Sequence, residues 1–142
     1  MIMKEISEEE FNELEKIYHS KQNEYFNKFV DLDKEYPDDQ DFAKAIKPYR
    51  DMYKNYINVY TCPEYCMVSQ EYIDSSASPI WLKEKFGWIN KQVKVEINDY
   101  QLQGILTGIA RTLEDYYYLI KSEDGEIHWE TAVAKLSLIE KS

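Results

Sequence analysis

The stretch Trp88–Arg111, WINKQVKVEINDYQLQGILTGIAR, decides the fold class, because the period of the apolar residues changes there. Before it, apolar residues recur at the spacing of helical faces. Within it, Val93, Val95 and Ile97 alternate with charged residues, which is the two-residue period of a half-buried strand. Asn98-Asp99 then predicts a turn. The chain therefore changes near Trp88 from predicted helices to predicted strands.

The remainder of the chain continues as strands. Residues Tyr100–Arg111 contain Gly104 and Gly108, and glycines inside a strand mark a bulge or a strong bend. Three further strands are predicted at Asp115–Ser122, Glu126–Glu130 and Leu136–Glu140. A hairpin turn over residues 123–126 and a short 3₁₀ turn over residues 131–135 separate these strands. Five short strands, the second of them bent, predict a small closed β-barrel.

A long helix is predicted near the start of the sequence. Ser7-Glu8-Glu9-Glu10 is a capping box, with Ser7 at the N-cap and Glu10 reaching back. Apolar residues then recur at exact intervals of seven, namely Phe11, Tyr18, Tyr25 and Leu32. Pro37 ends this helix.

A second apolar row has helical spacing and extends from Phe42 to Tyr60. Pro48 lies inside this row, where we expect a kink or a break near Lys47. Two helices joined by a short turn predict an antiparallel hairpin with an aromatic seam. The whole chain is therefore predicted to be α+β. Its segments are a helical hairpin over residues 1–61, an irregular connector with a short helix over residues 62–87, and the barrel over residues 88–142, packed as one compact unit.

Residues 92–139 resemble the small-barrel class of Sm-like, KOW-like and Src-homology-type domains. The residues that carry the resemblance are Val93-x-Val95-x-Ile97-Asn98-Asp99, Gly104-Ile105-Leu106-Thr107-Gly108-Ile109, Tyr116-Tyr117-Tyr118-Leu119-Ile120 and Val133-Ala134-Lys135-Leu136. The resemblance covers about a third of the chain and concerns the fold, which hosts many functions. The polar RNA-contact motifs of Sm-like rings find no match here. The N-terminal part resembles no recognised family.

Charge argues against several classes of partner. The 142 residues include 27 acidic and 17 basic side chains, a formal net charge of −10, and no third of the chain is basic. Nucleic-acid binders take most of their affinity from Lys and Arg beside phosphates, so a nucleic-acid partner is not expected. The field would instead attract a basic protein surface. We expect no membrane span, because no apolar run approaches about 20 residues.

Motifs that carry chemistry are scarce. Cys62 and Cys66 form a C-x₃-C pair, but a structural zinc site needs two further ligands, and His19 and His128 lie far apart in sequence. We therefore expect no metal, no cofactor and no disulfide, and two free cysteines favour a reducing cytoplasm. With no nucleophile elbow and no phosphate-binding loop, we expect the protein not to be an enzyme.

The run Tyr116-Tyr117-Tyr118 is the main candidate for a binding site. On a strand, Tyr116 and Tyr118 share one face while Tyr117 points to the other. Trp129, on the next strand, is expected beside them. The acidic residues Glu8, Glu9 and Glu13 at the start of the first helix are a secondary choice.

Three functions are compatible with these features. The first is a cytoplasmic acidic interaction protein that occupies a basic surface of its target. Phage or mobile-element anti-defence inhibitors that block CRISPR or restriction nucleases are one such class. The second is a nucleic-acid or nucleotide-binding small barrel. The third is an oligomeric structural subunit that assembles through a barrel edge or the aromatic hairpin.

Overall fold

The computed structural model describes residues 3–57 and 64–139, without the side chains of residues 55–57. The chain divides into two compact units, residues 1–64 and 65–142. The first contains mainly helices, and the second contains a multi-stranded sheet with two short helices. The predicted α+β class is therefore confirmed.

Over residues 3–57 the first unit forms a two-residue strand and two long helices. Strand β1 spans Lys4–Glu5, helix α1 spans Glu8–Glu35 and helix α2 spans Asp39–Ile57. The predicted N-cap is present, because the Ser7 hydroxyl accepts a hydrogen bond of 3.1 Å from the backbone N–H of Glu10. The Ser7 hydroxyl also donates to the Glu10 carboxylate at 3.2 Å.

Aromatic contacts connect α1 and α2. The rings of Phe29 and Phe42 lie 4.8 Å apart, and those of Tyr25 and Tyr53 lie 6.4 Å apart. The later residue of α1, Phe29, contacts the earlier residue of α2, Phe42, and the earlier residue Tyr25 contacts the later residue Tyr53. The two helices therefore run antiparallel. Members of the predicted heptad row are buried or half-buried: Phe11, Tyr18, Tyr25 and Leu32. Tyr60, at the end of the second row, lies outside the described residues.

Pro48 lies inside α2 without interrupting it. Helix α2 is continuous from Asp39 to Ile57, so the expected break near Lys47 does not occur. Pro48 is exposed. Water can therefore satisfy the backbone carbonyl that loses its helical hydrogen bond.

From Glu64 to residue 139 the structure describes six strands and two helices, which belong to the second unit apart from Glu64 itself. The strands are β2(Glu64–Met67), β3(Gln92–Ile97), β4(Tyr100–Arg111), β5(Tyr116–Lys121), β6(Ile127–Thr131) and β7(Lys135–Leu138). The helices are α3(Gln70–Asp74) and α4(Ile80–Phe86). The sequence predicts β3 to β7 and α4 to within a few residues. It does not predict β2 and α3, which lie in the stretch interpreted as irregular.

The sheet is open, so the predicted closed barrel is wrong. Strand β4 pairs with β2 and β3 along one edge and with β5 along the other, β7 follows β3, and β6 follows β5. A register shift between Leu106 and Gly108 marks the predicted irregularity in β4. Within the described chain β6 and β7 each pair with a single strand. After the turn at Ala134, the chain pairs with β3 instead of returning along β6, which leaves the sheet unclosed.

The core of the second unit lies on one face of this sheet. Fully buried residues come from successive strands: Val93, Val95, Leu106, Ile109, Tyr118 and Ile120. Helix α4 adds Leu82, which is also completely buried. Phe86 and Trp88 pack against this cluster, as expected of a helix that covers one end of a core.

Candidate functional site

The alternation of the tyrosine run assigns its members to two faces. Tyr118 lies in the buried cluster and is only 1% exposed. Burial, with a smaller contribution from the charge of Asp115, raises the pKa of Tyr118 to about 12. Tyr118 is therefore a core residue, and the expectation that it could be an accessible anchor is wrong. The physical reason is that its strand face lies against the core.

Tyr116 shares that face but lies near its edge, where it is half-buried. Its hydroxyl is hydrogen-bonded to the hydroxyl of Tyr72. Its ring meets the ring of Trp81 edge to face at 5.6 Å, and Trp81 is 40% exposed. The Arg111 guanidinium lies 4.2 Å from the centroid of the Tyr72 ring. Tyr116 is thus held in an ordered aromatic group.

Tyr117 and Trp129 lie on the opposite face. Their ring centroids are 6.0 Å apart, and Tyr65 of β2 meets Trp129 edge to face at 4.8 Å. All three rings are half-buried. The structure therefore brings Tyr117 and Trp129 together, as predicted, and adds Tyr65, which the sequence analysis did not single out. The sequence signal for Tyr65 is weak, because β2 has only four residues and is too short to show a clear two-residue period.

The secondary acidic candidates lie in the first two turns of α1, in the first unit. Glu9 and Glu13 are exposed and Glu8 is half-buried. Glu13 forms an ion pair with Lys16 at 3.2 Å, and both side chains are mostly exposed. Exposed pairs of this kind contribute little to stability. Negative charge at a helix N-terminus is also favoured by the helix dipole. Helix stability can therefore explain the presence of these carboxylates, and no binding function is needed to explain it.

The opposite end of the helical pair is also acidic. We define the acidic tip as residues 31–41, which connect α1 to α2 and contain six carboxylates and one lysine. The carboxylates are all exposed: Asp31, Asp33, Glu35, Asp38, Asp39 and Asp41. One of them has a local role, because Asp38 Oδ1 accepts hydrogen bonds from the backbone N–H of Gln40 and of Asp41 at 2.9 and 3.2 Å.

Exposed aromatic residues lie on the last turns of α1 and at its C-cap, in or beside the acidic tip. Phe26 is 62% exposed, Phe29 is 39% exposed and Tyr36 is 37% exposed. Phe26 and Phe29 are three residues apart, so they are neighbours on the helix surface, and Asp33 follows on the same side. Sequence reasoning missed this group. The available signal was that Phe26 falls outside the heptad row and therefore points away from the seam.

Metal-binding chemistry is confined to one small group among the described residues. Asp124, Glu126 and His128 have ligand atoms within 4.8 Å of one another. Cys66 is a free, buried thiol, whereas Cys62 lies outside the described residues. His19 stacks edge to face on Tyr18 at 5.6 Å.

Comparisons with protein-family models, with curated proteins and with solved structures found no match to this chain. The suggested relation of residues 92–139 to Sm-like and KOW-like domains therefore stays a prediction, but the open sheet is not the closed barrel that it implied. Within residues 3–57 and 64–139, no helix is both long enough and apolar enough to cross a membrane.

Proposed function

We propose that this protein is a non-enzymatic interaction protein that binds a basic surface of another protein through the acidic tip. The observation that carries the proposal is the position of exposed aromatic rings beside exposed carboxylates on one helix. Phe26 and Phe29 supply apolar area, and Asp33 on the same side supplies charge. This surface replaces the buried Tyr118 as the favoured anchor region.

The carboxylates at the end of α1 oppose helix stability. A helix C-terminus carries partial negative charge, so Asp33 and Glu35 in the last turn are unfavourable there, by about 0.3–1 kcal/mol each, and Asp31 lies just before that turn. The only basic residue in that last turn is Lys34. By contrast, Asp39 and Asp41 at the start of α2 are favoured by the dipole. Residues that conflict with local stability are typical of functional surfaces, and this conflict supports the proposal.

The two kinds of side chain have different roles in such an interface. Exposed carboxylates contribute little affinity each but increase the rate of encounter with a basic partner. Lasting affinity comes from a few desolvated aromatic anchors, for which Phe26 is the best placed because 62% of it is exposed. Occupation of a basic surface would inhibit a partner that uses that surface to bind nucleic acid.

The test begins with capture of a partner from the native host on immobilised protein. The purified partner is then titrated calorimetrically against the wild type and the triple variant Asp31→Asn, Asp33→Asn, Glu35→Gln. We expect a basic partner, a dissociation constant that rises with salt, and at least about tenfold weaker binding by the triple variant. The matched control carries Glu9→Gln and Glu13→Gln at the other end of α1 and should bind as the wild type does.

Two results would contradict the proposal. One is unchanged binding by the triple variant with a measured loss in the control, which would favour the first helical turn instead. The other is salt-sensitive binding of single-stranded or duplex oligonucleotides in fluorescence anisotropy, which would favour a nucleic-acid function. Light scattering after size exclusion tests assembly into an oligomer.

A further inference from the structure

The turn between β5 and β6 gathers three residues with metal-ligating side chains. Asp124 and Glu126 are exposed and His128 is half-buried, and their ligand atoms all lie within 4.8 Å of one another. His128 lies on β6, whereas Asp124 and Glu126 belong to the turn that precedes it, so the turn conformation brings the three together. His128 pairs with Ile120 and Trp129 pairs with Leu119, so the two side chains leave β6 on opposite faces.

Backbone hydrogen bonds fix this turn. The N–H of Ser122 donates to the carbonyl of Glu126 at 3.0 Å, and the N–H of Gly125 donates to the carbonyl of Ser122 at 2.9 Å. Gly125 has a φ of 87°, a conformation that glycine adopts without strain. The spacing of the three side chains is thus set by the hairpin, so less conformational entropy is lost when a ligand binds.

The Ser122 hydroxyl lies between two of the three side chains. It is hydrogen-bonded to the Asp124 carboxylate and lies 3.1 Å from Nε2 of His128. Asp124 Oδ1 also accepts a hydrogen bond of 3.0 Å from the backbone N–H of Glu126. A carboxylate and an imidazole are already directed toward one small polar volume.

We propose that Asp124, Glu126 and His128 bind one exchangeable divalent transition-metal ion of the zinc class. Two carboxylate oxygens and an imidazole nitrogen form a mixed donor set, and the nitrogen favours zinc, nickel or cobalt over magnesium and calcium. Bonds to zinc of about 2.0–2.2 Å require donors closer together than 4.8 Å. The exposed carboxylates can rotate by that amount. Water completes the coordination, since the described residues group three such ligands here.

The position of the site suggests what an ion would do. A polar groove adjoins it, lined by Gln92, Gln103, Gly104, Ser122, Glu123 and Asp124. An ion held by Asp124 would have water-filled positions that an anionic or carbonyl group could take. The site is separate from the cysteine pair considered in the sequence analysis. It does not depend on the proposed function of the acidic tip.

The experiment is a titration of the full chain with ZnCl₂, followed residue by residue in ¹H–¹⁵N NMR spectra, with MgCl₂ as a parallel arm. We expect shifts confined to residues 122–128 and no comparable response to magnesium. His128→Gln and Asp124→Asn should each raise the dissociation constant for zinc at least about tenfold. Glu123→Gln, a carboxylate in the same turn outside the ligand set, and His19→Gln should leave it unchanged.

Melting curves of the metal-free variants show whether each substitution preserves the fold. A residue-resolved readout separates this site from thiol binding, because zinc at Cys66 would shift residues of β2 instead. Shifts centred on β2, unchanged affinity in folded His128→Gln, or equal loss in Glu123→Gln would each overturn the proposal. So would the absence of shifts at residues 122–128 up to about 1 mM zinc, a concentration that corresponds to only about 4 kcal/mol of binding free energy.

Discussion

Replacement of Gly104 by alanine tests the packing of β4 on β5. A Cβ atom at this position would overlap the backbone carbonyl oxygen of Lys121 and would lie 2.7 Å from Cγ2 of Ile120. Ordinary contacts between carbon atoms are about 3.5–4.0 Å. Neither neighbour can retreat easily, because one is backbone and Ile120 is completely buried. The substitution must therefore displace β5 locally.

The expected cost follows from two opposing effects. Insertion of a methyl group into a packed interior costs about 1–3 kcal/mol. Alanine also restricts the unfolded chain, which returns about 0.4–1 kcal/mol. We expect Gly104→Ala to lower the free energy of unfolding by about 1–2 kcal/mol.

Gly108 offers a matched control in the same strand. A Cβ at Gly108 would meet only the terminal methyl group of Met67, which is the end of a flexible side chain. The cost of Gly108→Ala is therefore expected to stay below about 0.5 kcal/mol, the range of substitutions without a specific clash. Urea denaturation followed by tryptophan fluorescence suits this comparison, because all three tryptophans lie in the second unit. Equal stability of the two variants would refute the register derived for β4 and β5.

Four other substitutions probe stability by urea denaturation. Leu32→Ala should lower the free energy of unfolding by about 2–5 kcal/mol because Leu32 is buried. Phe26→Ala should change it by less than about 0.5 kcal/mol because the ring is largely exposed. Equal effects would contradict the placement of Leu32 in the core and of Phe26 on the surface. Ser7→Ala removes the N-cap of α1 and should cost about 1 kcal/mol; an unchanged urea midpoint would contradict this. Burial raises the pKa of Tyr118 to about 12, so the folded state binds this proton more tightly and stability falls as pH rises from about 10 to about 12. The Tyr118→Phe variant should lose less stability over that range, and an identical pH dependence would exclude the effect.

The strands of the second unit could be predicted because their signals are local. Alternation in Val93, Val95 and Ile97 defines β3, and the turn at Asn98 places the start of β4 correctly at Tyr100. Asn98 has a φ of 51°, a conformation that asparagine tolerates better than most residues. Elements that depend on sequence neighbours alone were therefore recovered to within one or two residues.

Features that depend on distant pairing could not be predicted. Strand β2 is four residues long, too short for a periodic signal, and its position is set by the pairing of Cys66 with Arg111. Closure of the sheet is likewise a property of how β7 meets β3 and not of any local pattern. Alternation alone placed Tyr116 and Tyr118 on one face, but it could not determine that this face is the core.

Net charge alone does not show which carboxylates belong to a binding surface, because it ignores where the helices begin and end. Glu8 and Glu9 near the start of α1 stabilise the helix on which they lie, and so does Asp39 at the start of α2. Asp33 and Glu35 near the end of α1 have the same charge but act against the helix dipole. Composition counts all five carboxylates alike, whereas the helix ends separate those explained by local stability from those that are not. The acidic tip is therefore preferred over the first helical turn as a binding surface, although both are acidic and exposed.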